Sequence, residues 1–349
     1  QNGNTETGSY QQKIMSKAPS WLKSVPGGLY CEPGDFWVDP TRAVDRAMIT
    51  HGHADHARPG HNHVLATAET LAIMKDRYGD KGGISPQALR YGEGITVGDV
   101  RVSFSPAGHV LGSAQAVLEH RGERIVVSGD YKRRRDPTCA TFEPVGCDLF
   151  ITEATFALPV FRHPDDRLEM ARLLGAREIY PGRALLVGAY SLGKAQRIIC
   201  LLRETGYNDP IYIHGALEVI NETYRRFGID FGDLRPVMET PKDEMAGAIV
   251  VAPPSTLNDR WSRRLPDPVT CFASGWMGVR ARARQRGVEL PLVISDHADW
   301  DELNRTLDDV AAPHVWVTHG AEEALIHAAR QRGFDARALS MAGYDEASE

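Results

Sequence analysis

Short apolar runs alternate with longer amphipathic stretches along most of this chain. The short runs predict strands at 35–39, 46–50, 101–105, 124–128, 148–152, 184–189, 210–214, 248–252, 269–273, 291–295 and 314–318. Apolar residues spaced as in Ala195, Ile198 and Leu202 predict helices at 67–78, 166–176, 193–205, 216–227, 299–311 and 320–332. Strands that alternate with helices indicate an α/β protein whose sheets are covered by helices. The polar stretch 230–245 is predicted to be a surface loop.

Several predicted strands end in a side chain that can bind a metal ion or exchange a proton. These side chains are His51, His109, Asp130, Glu153, His297 and His319. One buried histidine is usually only a hydrogen-bonded core residue, but six such strand ends are hard to explain in that way. Side chains that follow strands lie along one edge of a sheet, so they predict a site on a rigid scaffold.

The segment His51-Gly-His53-Ala-Asp55-His56 holds the densest group of metal-binding side chains. Imidazole and carboxylate together favour zinc-like ions over calcium, which prefers oxygen ligands alone. His51 and His53 are two positions apart at a strand end, so they point to the same side. Asp55 and His56 follow where the chain is predicted to turn toward a helix, and they can face a second point nearby. The segment therefore predicts two adjacent metal ions, and the alternative is a histidine-rich surface loop.

Composition limits the classes to which the protein can belong. With 349 residues the chain forms one large domain or two modest ones, and its apolar fraction of 42% is ordinary for a globular protein. No apolar stretch is long enough to span a bilayer. Residues 1–20 are polar and predict a disordered extension, not a secretion signal. Five scattered cysteines without a C-x-x-C pair predict reduced thiols and a cytoplasmic location.

Basic residues are clustered although the net charge is −6. One cluster is Lys132-Arg133-Arg134-Arg135, directly after Asp130, and later clusters are Arg263-Arg264 and the alternating arginines of 280–286. Local clusters on an acidic protein predict a track for an anionic polymer, and the alternative for each is a solvated helix face. The first cluster is favoured because it lies beside a candidate ligand.

These motifs resemble those of the metallo-β-lactamase superfamily. Its H-x-H-x-D-H motif matches His51, His53, Asp55 and His56, and its other motifs match Asp39, His109 and Asp130. The later motifs resemble the β-CASP branch of nucleic-acid-cleaving enzymes, including bacterial nucleases associated with DNA ligase and the messenger-RNA 3′-end-processing nucleases. They are Glu153, His297, His319 and the turn at 188–196. A histidine at 319 is typical of the RNA-cleaving members, whereas eukaryotic DNA-cleaving members usually have an apolar residue there.

The resemblance covers residues from about 26 to 340 and implies an αβ/βα four-layer sandwich with an inserted α/β domain. We expect the metallo-β-lactamase domain at 21–160 and 286–349 and the β-CASP domain at 161–285.

The resemblance also implies roles for individual residues. His51, His53 and His109 would hold one zinc ion, Asp55, His56 and His319 the other, and Asp130 would bridge them. Glu153 and His297 would form an acid pair at the leaving oxygen, and Asp39 would orient His51 or His53 from behind. Ser191 and Lys194, at the start of a predicted helix, are candidate phosphate contacts.

The expected function is hydrolysis of phosphodiester bonds by a hydroxide that two metal ions activate, with zinc as the expected ion and manganese as the alternative. DNA repair by an exonuclease is favoured, and RNA processing is the first alternative. A thioester or β-lactam hydrolase and a non-catalytic binding subunit are further alternatives, which a small-molecule pocket or lost ligands would indicate. Nucleic acid is the expected partner, the resemblance suggests a DNA ligase or helicase as well, and no membrane is expected.

Overall fold

The computed structural model describes residues 17–341, so positions 1–16 of the predicted N-terminal extension lie outside the described residues. The strands are β1 Leu22–Val25, β2 Gly28–Cys31, β3 Phe36–Val38, β4 Arg46–Met48, β5 His63–Ala66, β6 Ser85–Ala88, β7 Gly94–Val97, β8 Val100–Pro106, β9 Ala114–His120, β10 Glu123–Val127, β11 Leu149–Ala154, β12 Leu185–Gly188, β13 Ile211–Ile213, β14 Leu234–Pro236, β15 Ile249–Ala252, β16 Val269–Ala273, β17 Leu290–Leu292, β18 His314–Gly320 and β19 Asp335–Ala338. The α-helices are α1 Ala68–Tyr78, α2 Asp166–Ile179, α3 Lys194–Glu204, α4 Glu218–Arg226, α5 Arg280–Arg286, α6 Trp300–Val310 and α7 Glu322–Gln331. Within this part of the chain, no helix has both the length and the apolar content that a bilayer span requires.

The described chain divides into two compact units. The first unit contains residues 17–135, 140–159 and 297–341, and the second contains 136–139 and 160–296. The sequence placed the return to the first domain at 286, whereas the second unit continues to 296. The reason is that β17 pairs in parallel with β16 and so belongs to the sheet of the second unit.

Two mixed sheets form the middle layers of the first unit. One has the strand order β1-β2-β3-β4-β5-β6 and the other β19-β18-β11-β10-β9-β8-β7. Side chains alternate between the faces of each strand, so Met48 packs between the sheets with Phe104, while its neighbour Ala47 packs outward against Met74 of α1. On the second sheet, Phe150 packs outward in the same core cluster as Leu303 of α6.

The first unit is therefore a sandwich of four layers, with α1 outside one sheet and α6 and α7 outside the other. This agrees with the fold class expected from the sequence.

The second unit is built on a parallel sheet with the order β14-β13-β15-β12-β16-β17. Its central strands β12 and β15 are buried at every position, which is typical of a parallel sheet covered on both faces. One face carries Leu186, Val250 and Phe272, which pack in one core cluster with Trp261 and Trp276.

The predicted elements differ from the structure in a few places. All six predicted helices are present, but the sequence missed α5 and several strands. The stretch 230–245 contains β14 and two short 3-10 helices, so the prediction of a plain loop was wrong there. The expected turn into a helix after His53 was also wrong, because residues 53–57 form a turn and the next helix begins only at Ala68, after β5.

Candidate metal centre

Ends of strands in the first unit bring together six of the seven predicted metal ligands. One group of close donor atoms is His51, His53, His109 and Asp130, and a second is His56, Asp130 and His319. Asp130, Glu153 and His297 form a third group. Within each group the donor atoms lie within 4.8 Å of one another. These residues lie between positions 51 and 319 of the sequence, so the fold of the first unit, and not their spacing along the chain, brings them together.

Asp130 lies at the centre of the cluster. Its Oδ2 atom is 3.5 Å from His51 Nε2, 3.6 Å from His56 Nε2 and 3.7 Å from His109 Nε2. Burial raises the pKa of Asp130 above its ordinary value, and the imidazoles of His56 and His297 only partly oppose this. One oxygen of Asp130 therefore faces three imidazole nitrogens.

The donor atoms fit a divalent transition metal. His51 Nε2 is buried and forms no hydrogen bond with any residue between 17 and 341, although buried polar atoms are normally satisfied. Burial and the neighbouring imidazoles hold the pKa of His51 well below its usual range, so the ring is neutral and its nitrogen can donate a lone pair. His53 Nδ1 lies 3.0 Å from His109 Nε2, so two more ring nitrogens converge on the same point. Imidazole nitrogen with carboxylate oxygen suits zinc and related ions.

Asp39 supports the cluster through a different histidine from the one expected. Its Oδ2 lies 2.8 Å from His56 Nδ1 and accepts a hydrogen bond from Thr50 Oγ1 at 2.6 Å, while Oδ1 accepts one from Thr50 N at 2.8 Å. Thr50 Oγ1 in turn lies 3.1 Å from His51 Nδ1. Asp39 therefore orients His56 directly and reaches His51 only through Thr50, and the sequence expectation of His51 or His53 was wrong.

The carboxylates around His56 change its protonation. Burial lowers the pKa of His56, but Asp130 and Asp39 outweigh it and raise the pKa to about 10. The two acidic side chains therefore favour a proton on His56.

Asp55 lies at the rim of the cluster and not inside it. Its side chain is 73% exposed and its Oδ2 is 3.8 Å from His56 Nε2. Among the described residues, it belongs to none of the three groups of close donor atoms. Partial burial would raise the pKa of Asp55, but His56 and its own backbone amide lower it below the ordinary value.

Glu153 and His297 form a hydrogen-bonded pair beside Asp130. His297 Nδ1 is 2.9 Å from Glu153 Oε2, and Glu153 Oε1 accepts a hydrogen bond from Tyr131 N at 2.7 Å. Thr155 Oγ1 also donates to Glu153 Oε2. Burial would raise the pKa of Glu153, but His297 and these donors lower it, so the carboxylate is ionised. Because its oxygens are already engaged, Glu153 is arranged to orient His297.

A bulge in the second sheet directs His319 toward the cluster. Along the parallel pair β11 and β18, Glu153 is opposite Thr318 but Ala154 is opposite Gly320, so His319 is the extra residue. His319 has a φ of 55°, and bulges commonly redirect side chains at functional sites. A Cβ on Gly320 would lie 2.1 Å from Ala154 O, so only glycine fits there.

The predicted phosphate contacts lie in the second unit, apart from the predicted ligands. Lys194 is buried with its Nζ 3.1 Å from Asp296 Oδ2. Ser191 is half-buried, and its carbonyl accepts a hydrogen bond from Gln196 Nε2 at 2.9 Å. The ammonium group of Lys194 is therefore neutralised by a carboxylate, which differs from the role expected from the sequence.

The basic run 132–135 is also used inside the protein. Lys132 is buried, Arg133 donates to Thr306 Oγ1 at 3.3 Å, and Arg134 donates to Asp299 Oδ2 at 2.6 Å and to Glu302 Oε1 at 3.0 Å. Asp299 caps α6, which begins three residues after His297. The interpretation of this run as a track for an anionic polymer does not hold for these two arginines, because Arg134 binds the start of α6 and Arg133 binds Thr306 and Asp309 near its end.

Sequence reasoning missed the polar residues behind the ligands. Thr50, Thr155 and Ser113 hold the site together, and Ser113 Oγ accepts hydrogen bonds from the backbone amides of His109 and Val110 at 3.0 and 3.1 Å. The only sequence signal was a hydroxyl residue next to each motif.

A cavity of about 150 Å³ opens beside the cluster. It is lined by Asp39, Asp55, His56, Glu153 and His319 among others. A larger cavity of about 520 Å³ in the same unit, lined by Phe36, Met48 and Val102 among others, contains none of the candidate site residues.

The chain is similar to several known proteins. No family model matches the chain. It is 30% identical over 326 residues to a probable DNA ligase of Opitutus terrae, covering 91% of this chain and 31% of that protein. It is 25% identical over 380 residues to endoribonuclease YSH1 of Mycosarcoma maydis, covering 84% of this chain and 43% of that protein. It is 27% identical over 210 residues to ribonuclease TTHA0252 of Thermus thermophilus, covering 52% of this chain and 48% of that protein. The chain thus spans between about a third and a half of the length of these relatives.

A solved structure has a similar fold. A protein of unknown function from Enterococcus faecalis V583 superposes with a TM-score of 0.56 at 15% identity, covering 81% of this chain and 76% of that one. At that identity the likeness concerns the fold alone. These relatives are members of the β-CASP branch of the metallo-β-lactamase superfamily, and the motifs and the four-layer first unit of this chain resemble that family.

Proposed function

We propose that this protein is a metal-dependent nuclease that hydrolyses phosphodiester bonds, and that it degrades DNA from an end during DNA repair. The observation that carries the proposal is the convergence of six imidazoles on one buried carboxylate, Asp130. The likeness to a probable DNA ligase over 91% of the chain favours DNA.

The proposed centre holds two zinc ions, with manganese as the alternative, which when bound would supply positive charge for the phosphate and acidify a water molecule. His51, His53 and His109 would hold one ion and His56 and His319 the other, and Asp130 would contact both, with the exposed Asp55 at the rim. Asp39 fixes Nδ1 of His56, so that Nε2 faces Asp130.

Proton transfer to the leaving oxygen is assigned to His297. Glu153 accepts the Nδ1 hydrogen of His297 and stabilises the imidazolium, so the exchangeable proton is carried on Nε2. Burial of Glu153 keeps this pair in one orientation.

RNA is the second candidate substrate. Two relatives are named endoribonuclease and ribonuclease, and His319 belongs to the group that contains His56 and Asp130. The proposal keeps the same residues in the same roles and changes only the polymer.

The proposal includes a cytoplasmic protein that works beside a DNA ligase or helicase. Five cysteines without a disulfide among the described residues suit a reducing compartment. The ligase partner is suggested by the name of one relative.

Cleavage assays separate these alternatives. End-labelled single-stranded DNA, double-stranded DNA and RNA are incubated with the protein, with and without zinc or manganese, and a closed circular single strand is included. We expect metal-dependent release of short products from linear DNA and no cutting of the circle. Cutting of the circle would exclude an exonuclease, preference for RNA would support the second candidate, and the absence of cleavage of all substrates would overturn the proposal.

Asp130→Ala tests the centre itself. Because Asp130 faces both groups of imidazoles, we expect the variant to lose bound metal, measured by elemental analysis, together with all cleavage. Asp308→Ala is the matched control, since Asp308 is 58% exposed and pairs only with Arg332 on the surface. An Asp130→Ala protein with full metal content and full turnover would remove the bridging role.

A further inference from the structure

We propose that one face of the second unit binds the single-stranded part of a nucleic acid, through arginines that no carboxylate neutralises and two of which lie over aromatic rings. The proposal rests on the proposed function, for which it names a substrate-binding surface outside the predicted ligands. This surface, called here the arginine face, consists of Arg260, Arg263, Arg264, Arg280, Arg282, Arg284 and Arg286.

Two separate segments carry the arginine face on the same side of the parallel sheet. Residues 260–264 form a 3-10 helix, and residues 275–286 form a 3-10 turn followed by α5. Trp261 of the first segment and Trp276 of the second pack on one core cluster with Phe272. The two segments therefore present their charges from one face of the sheet.

The arginines of this face have no acidic partner. All seven side chains belong to exposed residues, and none forms an ion pair or a side-chain hydrogen bond within the described range 17–341. Neither segment contains an aspartate or a glutamate. Elsewhere in the same unit arginines are paired, as Arg183 is with Asp267 and Glu289. Seven uncompensated cations on a protein of net charge −6 are a local complement for a polyanion.

Stacking indicates a single strand and not a duplex. The guanidinium of Arg282 lies 3.8 Å from the centre of the Trp276 ring, and that of Arg286 lies 5.1 Å from the centre of Phe272. Arg282 is exposed as well as close to the Trp276 ring, so its guanidinium is available to a base, and a base can stack there only when it is unpaired.

The four arginines of α5 lie on two opposite flanks of the helix, and each flank is suited to a different part of a nucleic acid. Arg280 and Arg284 are four residues apart and lie on one flank of the helix, while Arg282 and Arg286 lie on the other flank against the rings. The first pair is suited to phosphates and the second to bases.

Binding is measured in EDTA, so that cleavage does not enter. The probe is a labelled oligothymidylate of about 20 nucleotides, followed by fluorescence anisotropy over a range of salt concentrations, with a duplex of the same length for comparison. For Arg280→Gln/Arg284→Gln we expect affinity to fall about tenfold and the salt slope to fall by about 1.4, as for two lost contacts to a single strand. Arg282→Lys keeps its charge but lacks the planar guanidinium that a base can stack on, so we expect about fivefold weaker binding to the single strand with an unchanged salt slope.

Arg225→Gln/Arg226→Gln is the matched control, because it removes two charges from exposed residues of the same unit outside the arginine face. Unchanged affinity and slope in Arg280→Gln/Arg284→Gln, or an equal loss in the control, would overturn the proposal. An equal effect of Arg282→Lys on duplex binding would overturn the assignment to a single strand. Cleavage by the wild-type protein is measured separately, in the presence of metal. If the wild-type protein cleaves nucleic acid but the arginine variants bind it as tightly as the wild type does, this inference is contradicted and the proposed function is not.

Discussion

At the scale of single residues, the cluster depends on hydrogen bonds behind the imidazoles. Asp39 accepts from Thr50 and contacts His56, and Glu153 accepts from Tyr131 as well as contacting His297. These carboxylates fix which ring nitrogen faces the centre, and such partners are commonly as important for metal affinity as the ligands themselves.

His297→Ala separates proton transfer from metal binding. His297 is held by Glu153 and is not needed for the two groups of imidazoles around Asp130. We expect normal metal content by elemental analysis and cleavage slowed by a factor of about 10²–10⁴, the usual effect of losing a general acid.

The matched control for this variant is His327→Ala, an exposed histidine of α7. Loss of metal in His297→Ala would make the residue a ligand, and unchanged cleavage would exclude the acid role.

The motifs have fixed spacing, and the residues that they single out lie close together in the structure for six of the seven candidate ligands. The sequence did not predict which atoms meet. Asp39 contacts His56 and not His51 or His53, because the turn at 53–57 brings His56 back toward β3. Asp55 lies at the rim for the same reason, since the chain turns there and does not enter a helix.

At the scale of elements, the bulge between β11 and β18 is the feature that positions His319. Ala154 approaches Gly320 so closely that a side chain is excluded, and Gly320 has a φ of 124°. This contact fixes the end of β18 beside Glu153.

Gly320→Ala is expected to destabilise the protein by about 2–4 kcal/mol, since it combines a collision with an unfavourable backbone angle. Gly333→Ala is the control, because Gly333 also has a positive φ, of 90°, but a Cβ there meets nothing within 4 Å. That variant should lose only about 1–2 kcal/mol. Chemical denaturation monitored by circular dichroism measures the free energy of unfolding of both variants. Equal decreases in the two variants would show that the structure relieves the collision at Gly320 without a loss of stability.

Periodicity predicted the six longer helices but not every strand. β9 was missed because its first five residues are all buried, so apolar and polar residues do not alternate along it. α5 was missed because four of its seven residues are arginine and none is buried.

At the scale of the whole molecule, the chain enters the second unit twice. The short segment 136–139 belongs to this unit, and the chain then returns to the first unit before 160–296. Arg197 of α3 is fully buried and donates to Asp136 Oδ2 at 3.0 Å and to Asp166. Burial lowers the pKa of Arg197, but Asp136 and Asp166 outweigh it and raise the pKa above the ordinary value.

Arg197→Ala is expected to destabilise the second unit by about 3–5 kcal/mol, because it leaves buried carboxylates without their partner. Hydrogen exchange should show faster exchange in β12 and little change in β10. Arg235→Ala breaks an exposed pair with Asp233 in the same unit and should cost at most about 1 kcal/mol. Equal protection of β12 in the wild type and in Arg197→Ala would contradict the role of this ion pair.

The position of the second unit in the sequence was only partly predictable. The boundary near 160 coincides with a change from strand to helix along the sequence. The second boundary, at 296, depends on the pairing of β17 with β16, and the local sequence does not show which strands pair. Inclusion of 136–139 depends on Arg197, about sixty residues away in the chain.

The cluster draws its imidazoles from both ends of the first unit, from His51 to His319. During translation, His56 leaves the ribosome on the order of tens of seconds before His319 at ordinary rates of synthesis. A nascent chain therefore carries an unfinished set of histidines until residue 319 has emerged. For the proposed centre, we expect metal to be bound only after both sheets of the first unit have formed.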